Sequence, residues 1–527
     1  LKNSDRDRER ERDRDPERGR RDDRDPERGN DRGRANERVV IPRLRVPEPA
    51  DTLATALRAI REDLKLPESF PAEVEHEARE KVHSATLPDL DLDDVPFVTI
   101  DPPGSTDLDQ ALHIERAGPG YRVRYAIADV GAFVEPGGAI DVEARERGQT
   151  KYAPDGRIPL HPTIIGEGAA SLLADQVRGA YVWTFDLDAA ATVTSTTLER
   201  ARIRSRRQYS YAEVQALLDQ GSADQPLQLL KEVGVKRIAL ERERGGASLN
   251  RPDEEVTVHD GVYSLELRSP LPVEGWNAQI SLMTGMAAAQ LMLDGGVGIL
   301  RTMPAPFADT VERFRRQVAA LGCPWPESQP YGEYLRGLDR DDPHGVAAMH
   351  AAASLFRGAG YTAFDGVAPE RVTQAAVAAP YAHATAPIRR LVDRFVLVTC
   401  EALCNGRPVP AWVREALPSL PKLMAHSDGI ASRLERASVD AIEAALLISR
   451  VGEEFDAVVI AARPGGGVIQ LTEPVVTAGI EGDVEAGDVV SVQLISADIA
   501  AGVSVFRLSE PAPPSGMPAD NDAAAHA

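Results

Sequence analysis

Cysteine is scarce in this sequence. Three in 527 residues, Cys323, Cys400 and Cys404, cannot build a disulfide framework. Cys400 and Cys404 stand one helical turn apart, but without a second pair they read as core thiols rather than metal ligands. Long apolar runs are missing as well. None approaches the ~20 residues that a membrane helix needs, and the first residues are too charged for a secretory signal. Aromatic residues are only 5%, so a core drawn from 43% hydrophobic residues is built mostly of Ala, Val, Leu and Ile. Together these absences lead to the expectation of a soluble cytoplasmic protein with no membrane partner. Positive charge is also short, with a formal net charge of −22. Taken alone, that argues against a nucleic-acid partner, although a locally basic channel inside an acidic shell is compatible with it.

The chain is long enough for roughly three or four domains. Residues 1–38 are dominated by Arg, Asp and Glu, and "RDPERG" occurs at 14–19 and again at 24–29. With almost nothing apolar to bury, this segment is expected to be disordered. Residues 39–92 form a small helical segment: 50–84 read as two helices split at "LPESFP", with Leu53, Leu57, Ile60 and Leu64 at helical spacing. A cap on the following domain is the favoured reading, a nucleic-acid module the other. Residues 93–449 mix strands and helices. "YRVRYAIADV" (121–130) alternates like a strand, and 182–210 suggests a strand pair. Residues 277–293, 386–404 and 422–448 read as helices. Residues 450–510 change to short Val-rich strands with Gly and Asp turns, the pattern of a small closed barrel, for which an OB-fold is expected. Residues 511–527 are an expected mobile tail. The fold class is thus α+β: a central mixed α/β domain, a small N-terminal helical segment and a C-terminal OB-fold β-barrel.

The first stretch with evident chemistry is "TIDPPGSTDLDQALHI" (99–114). Asp101 ends an apolar strand, and the loop "PPGST" brings the chain round to Asp107 and Asp109, which share one face of an extended segment. Carboxylates crowded together need a compensating cation. An all-oxygen set without a His–Cys complement suits a hard divalent ion, Mg²⁺ or Mn²⁺, better than zinc. Spacing alone leaves three readings open: a catalytic metal, a structural ion and a solvated turn.

A second stretch, "YAHATAPIRRLVDRF" (381–395), places Arg389 and Arg390 at the expected N-terminal turn of a helix, just after a proline at its first position. Guanidinium groups at a helix N-terminus make an anion site suited to phosphate. The plainer alternative is that they pair with Asp or Glu. An acidic metal cluster beside an arginine phosphate clamp is the toolkit for phosphodiester hydrolysis by metal-activated water.

"FVTIDPPGSTDLDQA" and "YAHATAPIRRLVD" resemble two signatures of the RNase II/RNB family of processive 3′→5′ exoribonucleases. "TKYAPDGRIPLHPTIIGEGAASLLADQVRGAYVWTFDLD", "RIRSRRQYSYAEV" and "GYTAF" between them are similar as well. The resemblance runs from about 95 to 448. It implies that the central domain is an RNB catalytic domain, that Asp101, Asp107 and Asp109 hold metal, and that Arg389 contacts the scissile phosphate. It also implies that Tyr152 stacks on the terminal nucleotide. Gln110 stands where the family has a fourth Asp that would complete a two-metal site, and its amide oxygen is counted as a weaker ligand. Gln279 falls roughly where many members have a channel-lining Glu. Arg390 and His383 are further candidates for substrate contact, with hydrogen bonding inside the loop as the favoured role of His383. The arginines between 200 and 207 are expected in part as channel wall, whereas Trp183 and Phe185 are expected to pack in the core.

The implied function is hydrolysis of single-stranded RNA from its 3′ end with Mg²⁺, or Mn²⁺ in its place, releasing nucleoside 5′-monophosphates. The protein is expected to act as a monomer with no dinucleotide cofactor. The alternative is an RNA-binding protein of the same fold with weak or no nuclease activity, because Gln110 replaces a ligand Asp. The fewer than ~60 ordered-looking residues before the central domain are too few for the two cold-shock barrels that the family usually carries there.

Overall fold

Alternation along the strand Gly120–Ala128 sets the layering of the central domain. Tyr121, Val123, Tyr125 and Ile127 enter one core, and Ala126 and Ala128 enter another on the opposite face. The computed structural model describes residues 44–45, 50–247, 253–259, 262–339, 342–474 and 476–509. The expectations for the charged segment 1–38 and for the tail 511–527 lie outside the described residues.

The central sheet has six strands in the order Leu90–Asp91, Val193–Ser210, Phe97–Asp101, Gln110–Ala117, Gly120–Ala128, Val177–Leu187. The long strand Val193–Ser210 changes partner along its length. Residues 193–204 pair antiparallel with Val177–Leu187, and residues 205–210 pair parallel with Phe97–Asp101. The face bearing Tyr121, Tyr125, Trp183 and Phe185 packs under the helices Gln225–Arg244, Pro272–Gly295 and Leu391–Cys404. Trp183 and Phe185 are fully buried, with stacked rings 5.9 Å apart, as core packing requires. The other face carries small residues, Ala126, Ala128, Ala180 and Ala201, which let Val74, Ala78, Ile140 and Ile165 approach closely.

The two N-terminal helices, Ala50–Asp63 and Ala72–Ser84, do not share a core. Leu53, Ala56 and Leu57 pack on Ala441, Ile442 and Ala445 of the long helix Leu420–Leu447. Val74 and Ala78 join the small-residue face of the sheet. Each helix thus packs on the rest of the chain rather than on the other. Leu44–Arg45 pairs with Val262–Arg268, which pairs with Asp253–His259 in a separate three-stranded sheet that the sequence pattern did not announce.

The helix Leu391–Cys404 starts later than expected. Pro387 lies in a turn closed by Arg389 and Arg390 N–H groups on the Ala386 carbonyl, and Arg390 is the N-cap. The C-terminal region is a closed five-stranded barrel, Glu454–Arg463, Gly466–Leu471, Thr477–Glu481, Val503–Leu508 and Val489–Asp498 in spatial order, as expected for an OB-fold. The helix Leu420–Leu447 leads into it and places Leu447 in the barrel core. Among the described residues no helix is long and apolar enough to cross a membrane.

Candidate active site

Leu108 fixes the aspartate loop. It is fully buried, its N–H donates to Ser171 Oγ at 2.9 Å, and its carbonyl accepts from Leu172 N–H at 3.0 Å. With Leu108 turned into the core, Asp107 and Asp109 turn the other way. Asp107 Oδ1 accepts from Arg157 Nη1 at 2.5 Å. Asp109 is 4% exposed; its Oδ1 accepts from the Ile388 N–H at 2.8 Å, and its Oδ2 lies 3.4 Å from Arg389 Nε. Asp101 Oδ2 is buried with no hydrogen-bond partner. Burial strips water from Asp101 and Asp109 and pushes both carboxyls up to about 7. Arg389 pulls both back, and the charge of Asp107 pushes Asp101 further.

Tyr152 sits on the hairpin Lys151–Ala153/Gly156–Ile158, directly across from Arg157. The residue is 51% exposed. Its hydroxyl is pushed up to about 12 by burial, with Asp107 and Asp109 raising it and Arg389 and Arg157 opposing them. The oxygen end therefore stands among the site charges while much of the ring remains open. The base of the hairpin is tied to the arginine segment: Thr150 N–H donates to the Arg389 carbonyl at 2.9 Å, and Leu391 N–H donates to the Gly148 carbonyl at 3.0 Å. Arg389 and Tyr152 are thus held by one local framework.

Arg390 does something else. Its Nε and Nη2 each donate at 2.9 Å to the two oxygens of Asp393, which also accepts the N–H groups of Thr385 and Ala386 at 2.8 and 2.7 Å. Asp393 is completely buried and Arg390 partly so. Arg390 is thus corrected from a phosphate contact to the core of the loop that carries Arg389. His383 is corrected as well. Its Nδ1 shares a 2.7 Å hydrogen bond with the Tyr361 hydroxyl, on the strand Gly360–Asp365 rather than in its own loop. Burial and the nearby Arg390, Arg301 and Arg389 hold the imidazole well below its ordinary value, so it is neutral and a poor anion ligand.

Gln110 departs from expectation in the same way. Its Oε1 accepts from the Tyr125 hydroxyl at 2.5 Å, and its Nε2 donates to the Thr385 carbonyl at 2.7 Å. An amide held at both ends is a brace between the aspartate strand and the arginine loop. Gln279 is 4% exposed and donates to Glu241 Oε2 at 2.5 Å, which places it in the core rather than on a channel wall. The strand arginines are also engaged. Arg200 pairs with Asp129, Arg202 with Asp91 and Arg204 with Asp93. They stitch the acidic stretch 89–93 and Asp129 to the sheet, whereas Arg206 and Arg207 at the end of the run are exposed, Arg206 donating to the Asp93 carbonyl and Arg207 lying over the Tyr209 ring.

The three aspartates are neighbours, yet among the described residues no three His, Cys, Asp or Glu side chains are drawn together as a ready metal cage. Arg157 and Arg389 face Asp107 and Asp109 instead. The donor chemistry nevertheless fits a hard divalent cation. It is oxygen only, and Asp101 contributes a buried oxygen whose hydrogen-bonding capacity is unmet.

A family model described as the RNB domain matches residues 90–405, and one described as the RNase II-type exonuclease C-terminal S1 domain matches residues 453–509. The chain belongs to the RNB family. It is 28% identical over 406 residues to "Exosome complex exonuclease RRP44 homolog A" of Arabidopsis thaliana, covering 73% of this chain and 43% of that protein. It is 24% identical over 442 residues to "Ribonuclease R" of Escherichia coli strain K12, covering 78% and 53%. The chain thus spans about half the length of these relatives. In fold it is similar to Mycoplasma genitalium RNase R in complex with ribose methylated single-stranded RNA, with a TM-score of 0.78, 19% identity, and 87% of this chain and 78% of that chain covered.

Three residues of this RNB domain escaped sequence reasoning. Arg157 was in view in "YAPDGR", where the two-residue turn Pro154–Asp155 sets it across from Tyr152. Asp393 was in view three residues after Arg390 in "RRLVD", the spacing of neighbours on a helix. Tyr125 gave no local signal, because it reaches Gln110 from the adjacent strand, where its direct partner is Leu112.

Proposed function

We propose that this chain is a metal-dependent 3′→5′ exoribonuclease that degrades single-stranded RNA processively and releases nucleoside 5′-monophosphates. RNB family membership supports the reaction class. The observation that carries the reading is the juxtaposition at the aspartate loop: a buried, unpartnered Asp101 oxygen, the half-exposed Arg389 guanidinium and the open ring of Tyr152.

In this reading the last base stacks on Tyr152, an arrangement that tolerates any base because every base has a π-face. Arg389 binds the scissile phosphate and stabilises the charge that builds on its oxygens. Asp101, Asp107 and Asp109 would hold Mg²⁺ or Mn²⁺, which supplies Lewis acidity and a more acidic water when bound. Water adds at phosphorus, the bond to the 3′ oxygen breaks, and that oxygen leaves with a proton. Arg157 keeps Asp107 oriented and Asp393 keeps the Arg389 loop in shape. The protein works as a monomer.

The test is degradation of a 3′-labelled oligo(A) with added Mg²⁺ or Mn²⁺, comparing the wild type with Asp109→Asn. Metal-dependent release of monophosphates by the wild type alone is expected. The brace at Gln110 favours a second reading, an RNA binder that cuts slowly. Tight binding of oligo(A) with no metal-dependent product would establish that reading and sink the first.

A further inference from the structure

We propose that this site is built for a single divalent ion, with Gln110 serving as a brace that joins the aspartate strand to the arginine loop. The inference rests on the metal-dependent reading above and concerns how many ions that reading involves.

The first argument is the supply of donors. Beyond the three aspartates, the nearby oxygen groups are already engaged. Gln110 Oε1 takes the Tyr125 hydroxyl and its Nε2 serves the Thr385 carbonyl, across 275 positions of sequence. Turning the amide oxygen toward a cation would break both bonds and leave the buried Tyr125 hydroxyl with Ser281 as its remaining partner. Glu167 accepts from Arg157 Nη2 at 2.9 Å on one oxygen and from Thr106 Oγ1 at 2.9 Å on the other. Both oxygens of Asp393 go to Arg390. Magnesium is usually held by one or two carboxylates with the remaining positions filled by water and substrate oxygens. Three aspartates meet that need once. A pair of closely spaced ions requires more carboxylate than these elements present.

The second argument is charge. Asp101, Asp107 and Asp109 face the guanidinium groups of Arg157 and Arg389. Glu167 shares Arg157 with Asp107, so four carboxylates against two guanidiniums leave two formal negative charges. One divalent ion brings the loop to neutrality. A second ion would leave two positive charges confined around the same loop. The two arginines thus occupy the electrostatic role that another ion would otherwise fill.

The brace also has a mechanical role. Thr385 begins the run to Arg389, and its hydroxyl is 2.9 Å from Ser281 Oγ on the helix Pro272–Gly295. Through Gln110 the strand that follows Asp109 is fixed to that run, so Gln110 is a positioning residue for Arg389 against the aspartates.

The experiment is calorimetric titration of Mn²⁺ into the full chain, with the paramagnetic resonance of bound Mn²⁺ recorded on the same samples and oligo(A) cleavage assayed in parallel. One ion per chain, with no signal from a coupled Mn²⁺ pair, is the expected result. Two ions per chain, or a coupled-pair signal, in a preparation that cleaves RNA overturns the inference and leaves the nuclease reading standing. No bound ion and no cleavage overturns both. Gln110→Asp with Tyr125→Phe should gain a second, weaker ion. If that pair of changes prevents folding, the wild-type stoichiometry still decides.

Discussion

Arg61, in the last turn of the helix Ala50–Asp63, donates to Asp155 at the tip of the hairpin that presents Tyr152. Arg147, at the end of the helix Ala139–Arg147 just before the hairpin, adds a second tie to the same N-terminal segment. Its guanidinium lies 3.8 Å over the Phe70 ring and donates to the Ser69 carbonyl at 2.9 Å. The N-terminal helices therefore support the hairpin from outside the sheet. Arg61→Ala should leave global stability within about 1 kcal/mol, as for other partly exposed ion pairs. It should raise KM for oligo(A) more than it lowers kcat. Steady-state kinetics beside a denaturant titration separates the two effects, and an unchanged KM would remove the hairpin from the helix's duties.

Arg389 and Arg390 are adjacent and should respond oppositely. Arg389→Ala removes a 44% exposed side chain; stability should hold, while kcat falls about 10²–10³-fold, the range seen when a preorganised charge-stabilising donor is lost. Arg390→Ala leaves Asp393 buried without its partner and should cost about 3–5 kcal/mol. Urea unfolding of the two variants side by side tests this contrast.

Tyr152→Ala should weaken oligo(A) binding by about 1–3 kcal/mol, the loss of one base–aromatic stack. Tyr152→Phe should retain most of the affinity, since the ring face provides the contact. Fluorescence anisotropy with a non-cleavable oligonucleotide checks both, and equal losses in the two variants would point to the hydroxyl instead.

Lys151 carries a pH signature. It is 4% exposed and its Nζ donates to the Arg147 carbonyl at 2.7 Å. Burial, with Arg147 adding repulsion, pushes its ammonium down to about 8 from 10.5. The unfolded chain therefore binds more protons than the folded one between these values. Stability contributed by this group should be lowest below pH 8 and should rise as pH climbs toward 10.5. Lys151→Met should flatten that rise in unfolding free energy measured across pH 7 to 10.

The aspartate and arginine stretches were legible because their chemistry is written in consecutive residues. Asp101, Asp107, Asp109 and Arg389 do fall around one loop. Gln110 and Arg390 sit in the same stretches, yet their roles were not legible. What decides them is a partner: Tyr125 on a neighbouring strand and the distant Thr385 carbonyl for one, the buried Asp393 for the other. The strand arginines misled for the same reason. Alternation in "RARIRSRR" announced a polar face, but only the fold reveals that aspartates already cover Arg200, Arg202 and Arg204, while Arg206 and Arg207 stay exposed. The barrel and the long helices were readable because period and turn composition are local properties. The start of the helix Leu391–Cys404 was misjudged because Pro387 fits a tight turn as readily as a first helical position.

The helix Leu420–Leu447 has one further consequence. Near its start, Ser427 donates to the Arg147 carbonyl beneath the Tyr152 hairpin, and at its end Leu447 lies inside the barrel. Twenty helical residues between those points measure about 30 Å. The helix is thus a ruler. Its two packed ends, rather than a flexible linker, set how far the barrel stands from the Tyr152 hairpin.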